Sequence, residues 1–188
     1  ELTHAAWSEL AGLHEQEKQG ALPRAAAQQA AIARIQNMRY ADDGKDYFWI
    51  SDTQTRMVMH PYRPELNGRS LLDYSDPAGK KLFVEFTKVV RDKGDGYVDY
   101  LWQWKDDEKR VVPKLSYVKG FAPWGWIVGT GIYLEDVRAE ISQMIRRVLQ
   151  ISVGISVIIA ALLAYISQQG ISLERQRWRA ETALRESE

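Results

Sequence analysis

The spacing of apolar residues changes along this chain, and each change marks a predicted element. Leu2, Ala6, Leu10 and Leu13 recur at helical spacing. Gly20 and Pro23 break that pattern, and Pro23 is well placed to open a second helix. Ala27, Ala31, Ile35 and Met38 give the second helix its apolar stripe, and Ala41-Asp42-Asp43-Gly44 ends it with turn chemistry. The aromatic run Tyr47-Phe48-Trp49-Ile50, bounded by turns, predicts a strand. Residues 52–56 make a polar turn, and Met57-Val58-Met59-His60 is the hairpin partner; Pro61 and Pro64 then force a loop. Residues 77–93 predict a helix with Leu82, Phe83, Phe86, Val89 and Val90 on one face, stopped by Gly94-Asp95-Gly96. Three more strands are expected at 97–104, 111–119 and 126–133, with turns at 106–109 and 121–125. This order predicts an α+β fold in which a long helix packs on one face of an antiparallel sheet.

Helical spacing resumes at Leu134, where Val137, Ile141, Met144 and Val148 share a face. No Pro or Gly separates this helix from 148–166, which contains no charged residue and is long enough to span a bilayer. Gln150, Ser152, Gly154 and Ser156 suit a helix that packs against another. A buried core helix is the alternative, but such a helix is seldom apolar all round in a small domain. The position near the C-terminus excludes a cleaved signal peptide. Arginines flank the span on both sides (Arg138, Arg146 and Arg147 before; Arg175, Arg177, Arg179 and Arg185 after), so charge does not orient it. The stripe from Val137 to Val148 predicts pairing with its twin in a homodimer. Residues 173–188 are strongly charged, with Ala180 and Leu184 at helical spacing. They read equally as a solvated tail or a coiled-coil linker.

Composition narrows the function. The 25 basic and 25 acidic side chains cancel, which argues against a nucleic-acid partner. The absence of cysteine removes disulfides, thiol nucleophiles and thiolate metal sites, and three scattered histidines make a poor zinc site. There is no Gly-x-Ser-x-Gly elbow, phosphate loop or paired-histidine motif, and the Asp106-Asp107 pair is placed in a solvated turn. No catalytic residue, cofactor or metal is therefore expected. The chain opens at Glu1 and closes at Glu188 inside charged helical patterns, so it is expected to be a piece of a longer protein.

Several motifs occur in a telling order. They are Tyr47-Phe48-Trp49-Ile50, Met57-Val58-Met59-His60-Pro61, Glu65-Leu66-Asn67-Gly68, Asp76-Pro77-Ala78-Gly79-Lys80-Lys81 and Pro113-Lys114-Leu115-Ser116-Tyr117-Val118-Lys119. The last is Trp124-Gly125-Trp126-Ile127-Val128-Gly129-Thr130-Gly131-Ile132-Tyr133. Together they resemble the single Cache domain, type 2, of bacterial receptors, over roughly residues 2–137. Residues 174–188 resemble the helix that leads into a cytoplasmic PAS domain in many sensor histidine kinases. The resemblance implies a PAS-like five-stranded antiparallel sheet crossed by a long N-terminal helix. It also implies a periplasmic sensor held in the bacterial inner membrane, with a small carboxylate such as acetate, propionate, pyruvate or lactate as ligand. The expected divisions are a sensor at 1–137, a juxtamembrane helix at 138–147, a membrane span at 148–167 and a cytoplasmic signalling helix at 168–188. A histidine kinase or a chemotaxis domain is the expected output.

A small carboxylate needs a fixed cation or several donors inside apolar walls. Lys114 sits mid-strand in a largely apolar segment, and strand alternation puts Lys114 and Ser116 on one face and Tyr117 on the other. An inward Lys114 would be a point charge for the carboxylate, whereas most lysines face solvent. His60, beside Met59, could donate to one carboxylate oxygen or merely cap its strand. Trp49, Tyr100 and Trp102 could line the pocket or be ordinary core. Tyr117 joins the site only if twist brings it to the Lys114 side. The expected ligand set is thus Trp49, Met59, His60, Tyr100, Trp102, Lys114, Ser116 and Tyr117, while Gly129 and Gly131 are expected to serve close backbone packing. An anchored enzyme acting on a small acid and a ligand-free dimerising ectodomain are the competing classes.

Overall fold

A computed structural model describes residues 1–185, with side chains through Ile171. Helices α1 (Leu2–Lys18) and α2 (Arg24–Asn37) bury most of the stripes expected of them, Ala6, Leu10 and Leu13 on the first and Ala27, Ala31 and Ile35 on the second, while Leu2 is exposed and Met38 lies just beyond α2. Pro23 caps the start of α2, and Met38 ends it in an extended conformation. Strand β1 (Arg39–Tyr40) follows, then β2 (Asp46–Asp52), β3 (Met57–Met59), helix α3 (Leu82–Lys93) and strands β4 (Asp95–Trp104), β5 (Asp107–Phe121) and β6 (Trp126–Tyr133). The sheet is antiparallel in the order β1-β2-β6-β5-β4, and β3 pairs with β2. The five expected strands all form, and the two-residue β1 adds a sixth.

Two boundaries differ from the expectation for a stated cause. Helix α3 starts at Leu82 rather than Pro77 because Asp76 closes the preceding segment as a turn. Its Oδ1 accepts the backbone N–H groups of Ala78 (3.0 Å) and Lys80 (2.8 Å). Its Oδ2 accepts the N–H of Leu101 at 2.9 Å, which ties the loop to the edge strand β4. The β4–β5 hairpin is tighter than expected. It turns at Lys105 and Asp106, with Lys105 at a φ of 49°. A non-glycine residue there is strained, and several contacts hold it. Its N–H donates to the Tyr133 hydroxyl at 2.9 Å, and its ammonium lies 2.6 Å from Asp43 and 3.2 Å from Asp136.

Strand alternation sorts the sheet into two faces. Phe48, Ile50, Met59, Trp126 and Val128 pack beneath α1 and α2, together with Phe121 and Trp124. Tyr47, Trp49, Val98, Tyr100, Trp102, Val118 and Ile127 face the other way, against Leu82, Phe83 and Phe86 of α3. Each fully buried side chain of this size contributes roughly 1.5–3 kcal/mol. The sensor portion therefore has two cores sharing one sheet.

Helix α4 (Leu134–Arg185) forms most of the second compact unit, residues 139–188. Over Leu134–Ile171 it is, among the described residues, the one helix long and apolar enough to cross a membrane. Its apolar side chains, including Ile141, Met144, Val148, Ile155 and Leu162, are exposed. The coiled-coil pattern of Ala180 and Leu184 rests on side chains outside the described residues.

Candidate ligand site

The α3 face of the sheet carries a cluster of polar groups inside an aromatic shell. Lys114, at mid-β5, is 1% exposed. The register places it between Tyr100 of β4 and Tyr133 of β6. Its ammonium donates to the Tyr133 hydroxyl at 3.3 Å and lies 4.0 Å from the ring centre of Tyr47 and 4.6 Å from that of Tyr133. These rings offer cation–π attraction but no counter-charge. Burial pushes the Lys114 ammonium down to about 7, against the opposing pull of the Asp46 carboxylate. Burial likewise raises Asp46, whose Oδ1 is buried without a hydrogen-bond partner among the described residues.

Further donors gather around the lysine. The Tyr47 hydroxyl and the Trp102 indole N–H are both buried and, among the described residues, unpartnered. Burial holds the Tyr47 hydroxyl far above its ordinary range. The Trp102 N–H is near enough to oppose that rise, yet the two do not reach hydrogen-bond geometry. His60 packs against Tyr47 (4.9 Å between ring centres) and Trp102 (5.6 Å). Its Nδ1 accepts the N–H groups of Tyr62 and Arg63 at 3.2 and 3.0 Å, so the hydrogen-bond network assigns the proton to Nε2. Burial, helped by Lys114 and Arg63, keeps this imidazole neutral well below its usual range. Ser116 is fully buried and shares a 2.8 Å hydrogen bond with the Tyr100 hydroxyl. Buried donors without acceptors are costly, typically about 1–3 kcal/mol each, and so point to a ligand that accepts hydrogen bonds.

Six of the eight expected residues, Trp49, His60, Tyr100, Trp102, Lys114 and Ser116, come together on this face. Trp49, His60, Tyr100 and Trp102 also line, with Leu82, Phe83 and Phe86, a cavity of about 170 Å³ of empty space that is closed to a water-sized sphere in this conformation. Two residues lie elsewhere. Met59 packs under α1 and α2, because a register irregularity between Ile50 and Ser51 pairs Met59 with Ile50 of that face while Met57 pairs with Ser51. Tyr117 points away from Lys114, as alternation requires. It packs on Tyr97 at 4.9 Å between ring centres and lines an open groove with Leu115 and Ile132. Tyr47, Tyr133 and Asp46 were not foreseen. The signal for Tyr47 was present, since positions 47 and 49 must share a face of β2. Gly129 and Gly131 act as expected: a Cβ at Gly129 would sit 2.4 Å from the Trp49 ring, and one at Gly131 would sit 2.3 Å from Ser116 Oγ. Among the described residues no group of three acidic or histidine side chains is placed to hold a metal ion.

Proteins similar to this chain in sequence include a chemotaxis receptor and a sensor histidine kinase. The chain is 39% identical over 152 residues to the methyl-accepting chemotaxis protein McpP of Pseudomonas putida, covering 81% of this chain and 27% of that protein. It is 35% identical over 139 residues to the sensor histidine kinase MctS of Rhizobium johnstonii, covering 74% and 29%. It therefore spans under a third of the length of these relatives. A solved Cache chemosensory domain, described for its recognition of carboxylic acids, superposes with a TM-score of 0.67 at 39% identity, covering 70% of this chain and 88% of that one. The profile of the family described as single Cache domain 2 matches residues 1–147, and the chain belongs to that family.

Proposed function

We propose that residues 1–137 sense a small carboxylate outside the cytoplasm and that α4 carries the resulting change across the membrane. In this reading 148–167 is the bilayer span, 168–188 enters the cytoplasm, and the longer protein signals through a chemotaxis or kinase output. The observation that carries the reading is Lys114: a fully buried ammonium whose described hydrogen bond goes to a tyrosine, beside two unpartnered donors. A carboxylate would supply a counter-charge in direct contact, where Asp46 acts only from a distance. Lys114, Tyr47, Trp102 and the Nε2 of His60 would meet its oxygens, and Trp49, Phe83 and Phe86 its short tail. The closed cavity means that binding includes a small opening of the aromatic cluster. The exposed apolar stripe on α4 suits a homodimer, whose two arrangements the ligand would bias by its differential affinity.

Calorimetric titration with acetate, propionate, pyruvate and lactate tests the assignment. Lys114→Met keeps most of the side-chain length and removes the charge. It is expected to weaken binding roughly ten- to a hundredfold, the usual loss for a charge-assisted contact. Lys119, whose ammonium lies 3.1 Å from Asp95, is the control, and Lys119→Met is expected to bind normally. Equal affinity in parent and Lys114→Met would mean the charge comes from elsewhere. Turnover of an acid would instead favour the enzyme, and stability indifferent to every acid the ligand-free ectodomain.

A further inference from the structure

We propose that Gly129 sets the length of acid the pocket accepts, by deciding how deeply Trp49 lies against the sheet; this rests on the carboxylate reading above. Gly129 of β6 is the cross-strand partner of Trp49 on β2. The three atoms nearest a Cβ placed at Gly129 all belong to the Trp49 ring, at 2.4, 2.6 and 3.0 Å. The indole therefore lies flat in the space where any other residue would carry a side chain. Gly131, two positions on, is a different case, because a Cβ there would meet backbone at 2.6 and 2.8 Å. At Gly129 a ring must move; at Gly131 a strand must.

What lies above the ring gives that movement its meaning. Phe86 stacks on Trp49 with ring centres 4.7 Å apart at 30°, and Phe83 meets it edge-on at 6.3 Å. All three rings bound the 170 Å³ cavity whose other wall is His60, Tyr100 and Trp102. A methyl group at position 129 would lift the indole by about 1 Å to restore ordinary contact. The lifted ring can go only toward Phe86 and into the cavity. None of the three atoms nearest a Cβ at Gly129 belongs to Lys114 or to the donors around it, so the added methyl acts first on the indole. Gly129 is thus a positioning residue: it acts on the tail end of the ligand through Trp49 and leaves the carboxylate end alone.

The test titrates the 188-residue chain, held in lipid nanodiscs, with acetate, propionate and butyrate by calorimetry. Gly129→Ala is expected to lower the affinity for propionate relative to acetate by about tenfold, the usual scale for one methylene in a tight pocket. Trp49→Phe removes the ring portion above Gly129 and is expected to raise butyrate binding relative to acetate by a similar factor. Adding Gly129→Ala to Trp49→Phe should refill that space and reverse the gain. This pair decides the matter if Gly129→Ala alone does not fold. Relative affinities that stay the same in the Trp49→Phe pair overturn the inference, as does an equal loss for all three acids. If the parent binds no acid at all, the carboxylate reading falls and this inference with it. Normal parent binding with an unchanged length profile removes this inference alone.

Discussion

Helices α1 and α2 cover one face of the sheet and α3 the other, and polar atoms meet different fates on the two sides. Under α1 and α2, Trp7 Nε1 donates to the Gly120 carbonyl at 2.9 Å, Trp124 Nε1 to Glu17 at 2.6 Å, and the Tyr40 hydroxyl bonds to Thr130 at 2.6 Å. Under α3, the Tyr47 hydroxyl and Trp102 Nε1 find no partner among the described residues. Two buried lysines repeat the contrast. Lys105 is 4% exposed, and although burial alone would lower its pKa, Asp43, Asp46 and Asp136 outweigh burial and raise it. Lys114 is more deeply buried, and there burial wins. One lysine is a finished structural joint; the other has no ion-pair partner within bonding distance among the described residues, and the proposed ligand would supply one. Buried donors are seldom left unpaired in a core, and this difference is what supports putting the proposed ligand site on the α3 face.

The sharpest way to break this comparison is to damage the structural face alone. Leu10→Ala empties a fully buried position under α1. It is expected to cost roughly 2–5 kcal/mol in chemical denaturation while leaving the relative affinities for short acids unchanged. A change in the acid profile would mean that the two faces are not separable.

A smaller effect of opposite sign is expected on the other face. Lys114 has a folded pKa of about 7 against an ordinary 10.5. The unfolded chain therefore binds more protons between those values, and stability from this group rises with pH across that window. Below about pH 7 both states are protonated and the penalty of the buried charge is complete. Lys114→Met should raise the melting temperature of the ligand-free protein most below that point, with the gain fading as pH rises toward 10.5. A variant less stable than the parent at every pH would show that Lys114 has a structural counter-charge after all.

How far the residues alone could take this is visible in particular positions. The helical stripes of α1 and α2 and the alternation of β4 to β6 follow from spacing, which puts Lys114 and Ser116 on one face and Tyr117 on the other, as observed, but does not say which face is inward. Alternation fails where the ladder does: the irregularity at Ile50 and Ser51 sends Met59 to the far face, and no periodicity announces it. The start of α3 was misplaced because Asp76 spends its carboxylate on a turn, a choice that depends on β4 being nearby to share it. Tyr133 closes the last strand motif, but its hydroxyl joins Lys114 to the Lys105 turn only through a hairpin tighter than the residues suggest. Local patterns were readable, and what they missed is created by contacts between distant strands.

The central claim is that Lys114 waits for a carboxylate, and proton uptake on binding measures it most directly. A bound carboxylate favours the ammonium, so it must raise the Lys114 pKa above its free value of about 7. The charged and titratable groups near this lysine are Asp46, Lys105, Tyr47, Tyr133 and His60. The tyrosines are raised by burial and His60 is lowered by it, so neither kind of group exchanges protons in this range. Calorimetry of acetate or propionate binding in buffers of different ionisation enthalpy is expected to show nearly no uptake at about pH 6 and close to one proton per ligand at about pH 8.5, with affinity falling as pH rises between them. Lys114→Met should abolish that uptake. Tight binding at about pH 8.5 with no proton taken up would contradict the claim.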